Sequence, residues 1–215
     1  MRIGILGGTF DPVHNGHVEI AEKVAGWFAL DRVEFVPAAR SPHKAHPPEA
    51  SAWDRFAMLV LATRPYERFF VSTVELERGG VSYTIDTVRE LRRRMREEHD
   101  FYLIMGADAF GTFTAWKAHE ELLQLTNLVV VSRPGHALNA EDLPEVWRSR
   151  ARTFDREHLG GEGSSIYLCP GIHNETSATA IRAALRRGEP IAHLVPPDVA
   201  TYIEKYRLYR DAATR

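Results

Sequence analysis

The opening of the chain constrains its fold more than any other stretch. "RIGIL" (Arg2–Leu6) is short, apolar and rich in branched residues, and reads as a buried strand. "GGTFDPVHNGH" (Gly7–His17) follows with no spacer, and "HVEIAEKVAGWFAL" then carries Val18, Ile20, Ala21, Val24 and Phe28 at helical spacing. A strand, a glycine-rich loop and a helix in succession are the first parts of a unit that places its next strand parallel to the first. In such sheets ligands sit beyond the carboxyl ends of the strands, which is where this loop falls.

The same alternation continues. "VEFVPA" is a second strand ending at Pro37, and the loop "ARSPHKAHPPEA" carries three prolines that forbid a regular helix. Ser51 can cap the helix "AWDRFAMLVLAT", which ends before Pro65. "FFVST" reads as a strand, the glycine pair in "VELERGGVSYT" as a turn, and Thr84 as the cap of a helix running to about Glu98. "FYLIM", "NLVVVS" and "SIYLC" are further strands, with a helical stretch around "AHEELLQL". "SATAIRAALRRG" reads as a serine-capped helix closed by glycine, and "PPDVATYIEKYRLY" as a last helix. The expected fold is α/β: a Rossmann-like, doubly wound, mostly parallel sheet in one domain over 1–215, with 176–210 as a C-terminal helical portion. Residues 135–163, rich in charge and glycine, read as a variable surface excursion.

Composition removes several function classes. The 215 residues carry 27 basic and 29 acidic side chains, a balance that makes no electrostatic case for nucleic-acid binding. The arginine-rich run Arg89–His99 is interleaved with acids and reads as a solvated helix face. No apolar run approaches the roughly 20 residues that span a bilayer. With Cys169 as the single cysteine an intrachain disulfide is impossible, and a reducing cytoplasm is the expected compartment. Cys169 itself reads as a small buried hydrophobe, and Trp27, Trp53 and Trp147 as packing or surface aromatics.

The glycine loop is phosphate chemistry of an unfamiliar pattern. Gly7 and Gly8 permit close backbone approach, and a helix opening near His17 adds the positive end of its dipole. The loop matches neither G-x-G-x-x-G nor G-x-x-x-x-G-K-[ST], and no acidic residue ends the second strand, which disfavours a dinucleotide-dependent dehydrogenase and a P-loop. His14 and His17 could be metal ligands, although no third ligand stands at a helpful spacing, or satisfied structural histidines, or donors to a phosphate chain. Gly16 favours the last, since it clears bulk where the imidazoles would meet something between them. Lys44, after a proline-stiffened turn at a strand's carboxyl end, reads as a phosphate-binding lysine.

"GGTFDPVHNGH" resembles the H-x-G-H nucleotidylyltransferase signature in its GxFDPxHxGH form. With "SPHK" (Ser41–Lys44), "SYTIDT" (Ser82–Thr87), "GADAF" (Gly106–Phe110), Trp116, "SRPG" (Ser132–Gly135) and "SATAIR" (Ser177–Arg182) in order, the chain resembles bacterial nicotinate-nucleotide adenylyltransferases from about residue 3 to 209. The resemblance implies transfer of the adenylyl group of ATP to nicotinate mononucleotide, giving deamido-NAD and pyrophosphate, within NAD biosynthesis. It implies His14, His17, Lys44 and Arg182 as the catalytic set. ATP is implied at Gly7, Gly8, Thr9, Phe10, His14, His17, Gly106, Asp108, Ser177, Thr179 and Arg182. The mononucleotide is implied at Thr9, Lys44, Tyr83, Thr84, Trp116 and Arg133, with Trp116 stacking on the pyridine ring.

The carboxylate is implied at the helix start near Thr84, which suits an anion over a neutral amide. Mg²⁺ is expected as a passenger of ATP, with no protein metal site. The implied partners are ATP and nicotinate mononucleotide, without nucleic acid or membrane; self-association as a homo-oligomer stays open. Other readings are an adenylyltransferase for nicotinamide mononucleotide or phosphopantetheine, and a non-catalytic nucleotide sensor. Thr176 stands where the family places an apolar residue, which alters local packing and leaves the polar contacts.

Overall fold

Seven strands, among the residues described, line up in the order β3-β2-β1-β4-β5-β7-β6. The computed structural model describes residues 1–42, 44, 46–95, 98–132, 139–155, 164–172 and 176–210. The elements are β1 (Arg2–Gly8), α1 (Asn15–Trp27), β2 (Arg32–Pro37), α2 (Ala52–Thr63), β3 (Phe69–Val71), α3 (Val74–Arg78), α4 (Thr84–Met95), β4 (Asp100–Gly106), α5 (Ala107–Phe110), α6 (His119–Leu125), β5 (Asn127–Val131), α7 (Glu145–Arg148), β6 (Ala151–Thr153), β7 (Ile166–Cys169), α8 (Ala178–Arg186) and α9 (Pro197–Lys205). The ladders β1–β4, β4–β5, β5–β7 and β7–β6 are parallel. This is the α/β, Rossmann-like, parallel architecture that the alternation predicts. The strand order reverses between β1 and β4, the kind of switch point at which open α/β sheets bind ligands.

The chain forms two compact units, each drawn from separate stretches: the described residues of 1–7, 20–34 and 83–173, and those of 8–19, 35–82 and 174–215. In the first, Ile5, Leu103, Leu128 and Ile166 make one cross-strand row, all buried. Successive residues of these strands are buried on both faces of the sheet, which is why they read as continuous apolar runs. Phe28 packs on Tyr102, Phe154 and Tyr167. Trp147 is buried against Phe110, Phe113 and His119. Cys169 is buried, and desolvation pushes its thiol up to about 12, which leaves it an inert packing group.

In the second unit Phe35 packs on Phe10 and Phe69, and Tyr66 stacks on Phe69. Ser51 caps α2 by accepting from the Asp54 amide at 3.1 Å, and Ser177 caps α8 by accepting from Ala180 at 3.2 Å. Such caps contribute about 1 kcal/mol each. α8 ends through Gly188, at φ 74°, while the Gly188 and Glu189 amides reach back to Leu185 and Ala184.

Several expectations are corrected. Thr84 is the first helical residue of α4 and not its cap; Tyr83 precedes the helix and its carbonyl accepts from Asp86 and Thr87. The helix is described to Met95, and 96–97 lie outside the described residues. α3 and β6 are too short to show a period and were not expected. Gly79 and Gly80, both at φ 67°, form the expected turn after α3, a conformation that favours glycine.

Candidate active site

The catalytic set predicted from the sequence lies in the second unit, and its geometry begins with the start of α1. That helix starts at Asn15, two residues before the expected point, so His14 occupies the cap position and His17 the third helical position. The His17 and Val18 amides reach back to the His14 carbonyl at 2.9 and 3.4 Å. The His14 amide in turn donates to His17 Nδ1 at 3.2 Å. This is half of a capping box, with an imidazole in the place of the usual Glu or Gln.

Two consequences follow. With Nδ1 accepting, neutral His17 carries its proton on Nε2 and presents it as a donor. The two rings also stack on one another, with centroids 3.6 Å apart and planes 29° apart. The expectation that they flank something between them is therefore corrected: the two rings meet each other.

Both imidazoles are neutral in the free protein. Burial lowers His14 to about 4, and lowers His17 well below its usual value, with further depression from His14 and Lys44. Lys44 is an exposed residue, yet its ammonium is held below the ordinary lysine range, first by desolvation and then by Arg182, with Arg55 adding and Asp11 opposing. Neutral donors thus stand beside the Lys44 and Arg182 cations, which is an arrangement that gains from a polyanion.

Arg182 donates from Nη1 to the Asp11 carbonyl at 2.8 Å and from Nε to Glu49 at 2.8 Å. Glu49 takes Arg186 on its other oxygen at 2.5 Å. Ser177 and Thr179 lie in the exposed first turn of α8. Gly7 is exposed, and a Cβ built there meets nothing within 4 Å. Gly8 is required for an internal reason, since its Cβ would stand 2.9 Å from the Phe10 ring. Phe10 is buried at φ 51° with its ring edge-on to His17.

Four residues that the sequence did not single out fix this loop. Arg55 is 1% exposed and donates from Nη1 to the Thr9 carbonyl at 2.7 Å. Asp11, buried, accepts from the Glu49 and Ala50 amides at 2.8 and 3.0 Å and from the Tyr209 hydroxyl at 2.8 Å. Glu49 joins Arg182 to Arg186. None of these contacts is local in sequence, so no spacing announces them.

The remaining predicted residues lie in the first unit. Gly106 ends β4 and stands at the cap position of α5, and Asp108 is exposed in the first turn of that helix. Trp116 follows a short 3-10 turn and packs on Phe113. Its neighbour Lys117 places its ammonium 4.5 Å from the centroid of the Tyr83 ring and 2.9 Å from Asp86, which ties the Trp116 turn to the N-terminus of α4. Asp86 sits in the first turn of that helix, where the positive end of its dipole favours an acidic side chain. Arg133 lies outside the described residues. Among the described residues no three His, Cys, Asp or Glu side chains gather as a metal cluster, and no helix is long and apolar enough to cross a membrane.

Comparison with known proteins agrees with this reading. The cytidylyltransferase-like family model matches residues 5–184. A protein of Citrifermentans bemidjiense named "Probable nicotinate-nucleotide adenylyltransferase" is 40% identical over 99% of this chain and 100% of its own. A Streptomyces coelicolor protein of the same name is 38% identical over 95% of this chain and 99% of its own. Among solved structures, the Plasmodium falciparum nicotinic acid mononucleotide adenylyltransferase complexed with NaAD superposes with a TM-score of 0.73 over 97% of each chain. At 18% identity it attests the fold alone. The chain belongs to the cytidylyltransferase-like family and, within it, to the nicotinate-nucleotide adenylyltransferases.

Proposed function

We propose that the chain transfers the adenylyl group of ATP to nicotinate mononucleotide, forming deamido-NAD and pyrophosphate, and so serves NAD biosynthesis. The observation that carries the reading is the stacked His14–His17 pair beside Lys44 and Arg182, in a chain that matches the family over nearly its whole length.

The acceptor phosphate needs no protein base, because its second pKa is about 6 and it is largely dianionic near neutral pH. One of its oxygens attacks the α-phosphorus in line, and the bond from that phosphorus to the bridging oxygen breaks. The electron pair leaves on pyrophosphate. Catalysis is then alignment and charge stabilisation. His17 donates from Nε2 and His14 from the edge beside it, while Lys44 and Arg182 supply positive charge. Polyphosphate binding favours the charged form of each imidazole, so their donor strength grows as charge builds on the leaving group.

Mg²⁺ enters with ATP, its charge spread over the phosphates. Tyr83, Thr84 and the amides that open α4 take the nicotinate carboxylate, and Trp116 the pyridine face. Thr9, Phe10, Gly106, Asp108, Ser177 and Thr179 complete the ATP contacts, and Arg133 meets the mononucleotide. The single buried cysteine and the need for ATP support a cytoplasmic enzyme acting on free nucleotides, with neither nucleic acid nor membrane as partner.

The test is pyrophosphate release from ATP with nicotinate mononucleotide, nicotinamide mononucleotide and phosphopantetheine in separate reactions. Release fastest with the first supports the proposal. Release only with phosphopantetheine, or with none of the three, contradicts it.

A further inference from the structure

We infer that Tyr209, near the C-terminal end of the described chain, is a positioning residue for the reaction: through Asp11 it sets Arg182 for the ATP phosphates. The inference rests on the ATP-dependent reading above. Its basis is a chain of contacts within one unit. The Tyr209 hydroxyl donates to Asp11 Oδ1 at 2.8 Å, across 198 residues of sequence. Asp11 is buried, and among the described residues the Glu49 and Ala50 amides also donate to its carboxylate. The peptide carbonyl of the same Asp11 accepts from Arg182 Nη1 at 2.8 Å. Side-chain placement of Asp11 and guanidinium placement of Arg182 are therefore set at one residue.

The backbone shows that Tyr209 is brought there deliberately. After α9 the Arg207 and Leu208 amides reach back to the Glu204 and Ile203 carbonyls, a turn that needs a left-handed residue. Arg207 supplies it at φ 52°, and Tyr209 itself stands at φ 63°. Two non-glycine residues in that region within three positions persist only when their surroundings over-determine them. The determinant at Tyr209 is its burial, at 8% exposure, together with the bond to Asp11. Removing the hydroxyl leaves a buried carboxylate short of a donor, a loss larger than that of an exposed hydrogen bond. Misplacement of a charge-stabilising group by a fraction of an ångström is felt in rate far more than in fold.

The experiment is ATP binding by calorimetry, together with steady-state kinetics, on the full-length wild type and Tyr209→Phe. The expected result is a loss of about tenfold in kcat/KM for ATP, with the KM for the mononucleotide within about twofold of wild type. Arg182→Lys with Tyr209→Phe should then cost less than the sum of the two single changes, because both act through one contact. A folded Tyr209→Phe protein with unchanged kcat/KM for ATP overturns the inference, as does an equal loss for both substrates or strict additivity with Arg182→Lys.

Should Tyr209→Phe fail to fold, hydrogen exchange on the wild type decides. Slowed exchange at 206–210 on adding ATP is expected from reciprocal coupling, and unchanged exchange there overturns the inference. A wild type that binds no ATP overturns both this inference and the proposed function, whereas wild-type binding with an indifferent Tyr209 overturns this inference alone.

Discussion

The backbone amide of His14 donates to Nδ1 of His17, so the same ring that the proposed chemistry needs also closes the first turn of α1. The two roles are compatible because they use opposite nitrogens. Holding Nδ1 as an acceptor fixes the proton on Nε2, and a fixed tautomer makes an imidazole a dependable donor. In nitrogen-detected NMR of the free protein at neutral pH, His17 is expected as the Nε2–H tautomer. The His14 ring should show no titration near 6.5, and its midpoint should move up from about 4 when ATP is added. A His14 that titrates at 6.5 in the free protein contradicts the burial on which this rests.

The same burial fixes a pH dependence of stability. The folded pKa of His14 lies below its unfolded value of 6.5, so between 6.5 and about 4 the unfolded chain binds a proton that the folded chain does not. Stability from this residue is full above 6.5 and falls as the pH drops, by about 1.4 kcal/mol per unit where the unfolded form is fully protonated. Urea unfolding at pH 7 and pH 5 should show a smaller loss for His14→Asn than for wild type. Equal losses would refute the assignment.

Glu49 occupies guanidinium groups that a polyphosphate would otherwise take. Its oxygens hold Arg182 at 2.8 Å and Arg186 at 2.5 Å. Glu49→Gln weakens that competition and keeps the Glu49 amide bond to Asp11. The ATP KM should fall by about threefold, the scale of a partly exposed ion pair. A rise in ATP KM would show instead that Glu49 pre-sets Arg182 for its ligand.

Arg55 is a wholly buried cation that holds the Thr9 carbonyl, with Asp11 and Glu75 among its electrostatic partners. Removing one member of a buried charge set costs about 3 kcal/mol or more. Arg55→Met should lose that much in denaturant unfolding, along with most activity. A stable and fully active Arg55→Met protein would mean that the glycine loop keeps its shape without this anchor.

The parts of this architecture that repeat locally were legible in the sequence. The apolar runs of β1, β2, β4, β5 and β7, the serine caps of α2 and α8 and the glycine that closes α8 each announce themselves within a few residues. α3 and β6 do not, because five and three residues carry no period. The two histidines proposed as catalytic were legible as a pair, but their stacking depends on α1 starting at Asn15, a boundary that periodicity locates only coarsely. Asp11, Glu49, Arg55 and Tyr209 were invisible as a group, since what joins them is spatial: Tyr209 meets Asp11 across 198 positions and Arg182 meets Glu49 across 133.

The central claim is that His17 acts on the reacting phosphates and is not merely a helix cap. Glutamine at the same position can keep the capping-box contact to the His14 amide while removing the imidazole. The most direct measurement is therefore the rate of pyrophosphate release from ATP and nicotinate mononucleotide by His17→Gln, with its thermal midpoint recorded alongside. The account predicts a midpoint close to wild type and a loss of at least about 100-fold in kcat, the scale of removing one preorganised donor. A folded His17→Gln protein turning over near the wild-type rate would contradict it.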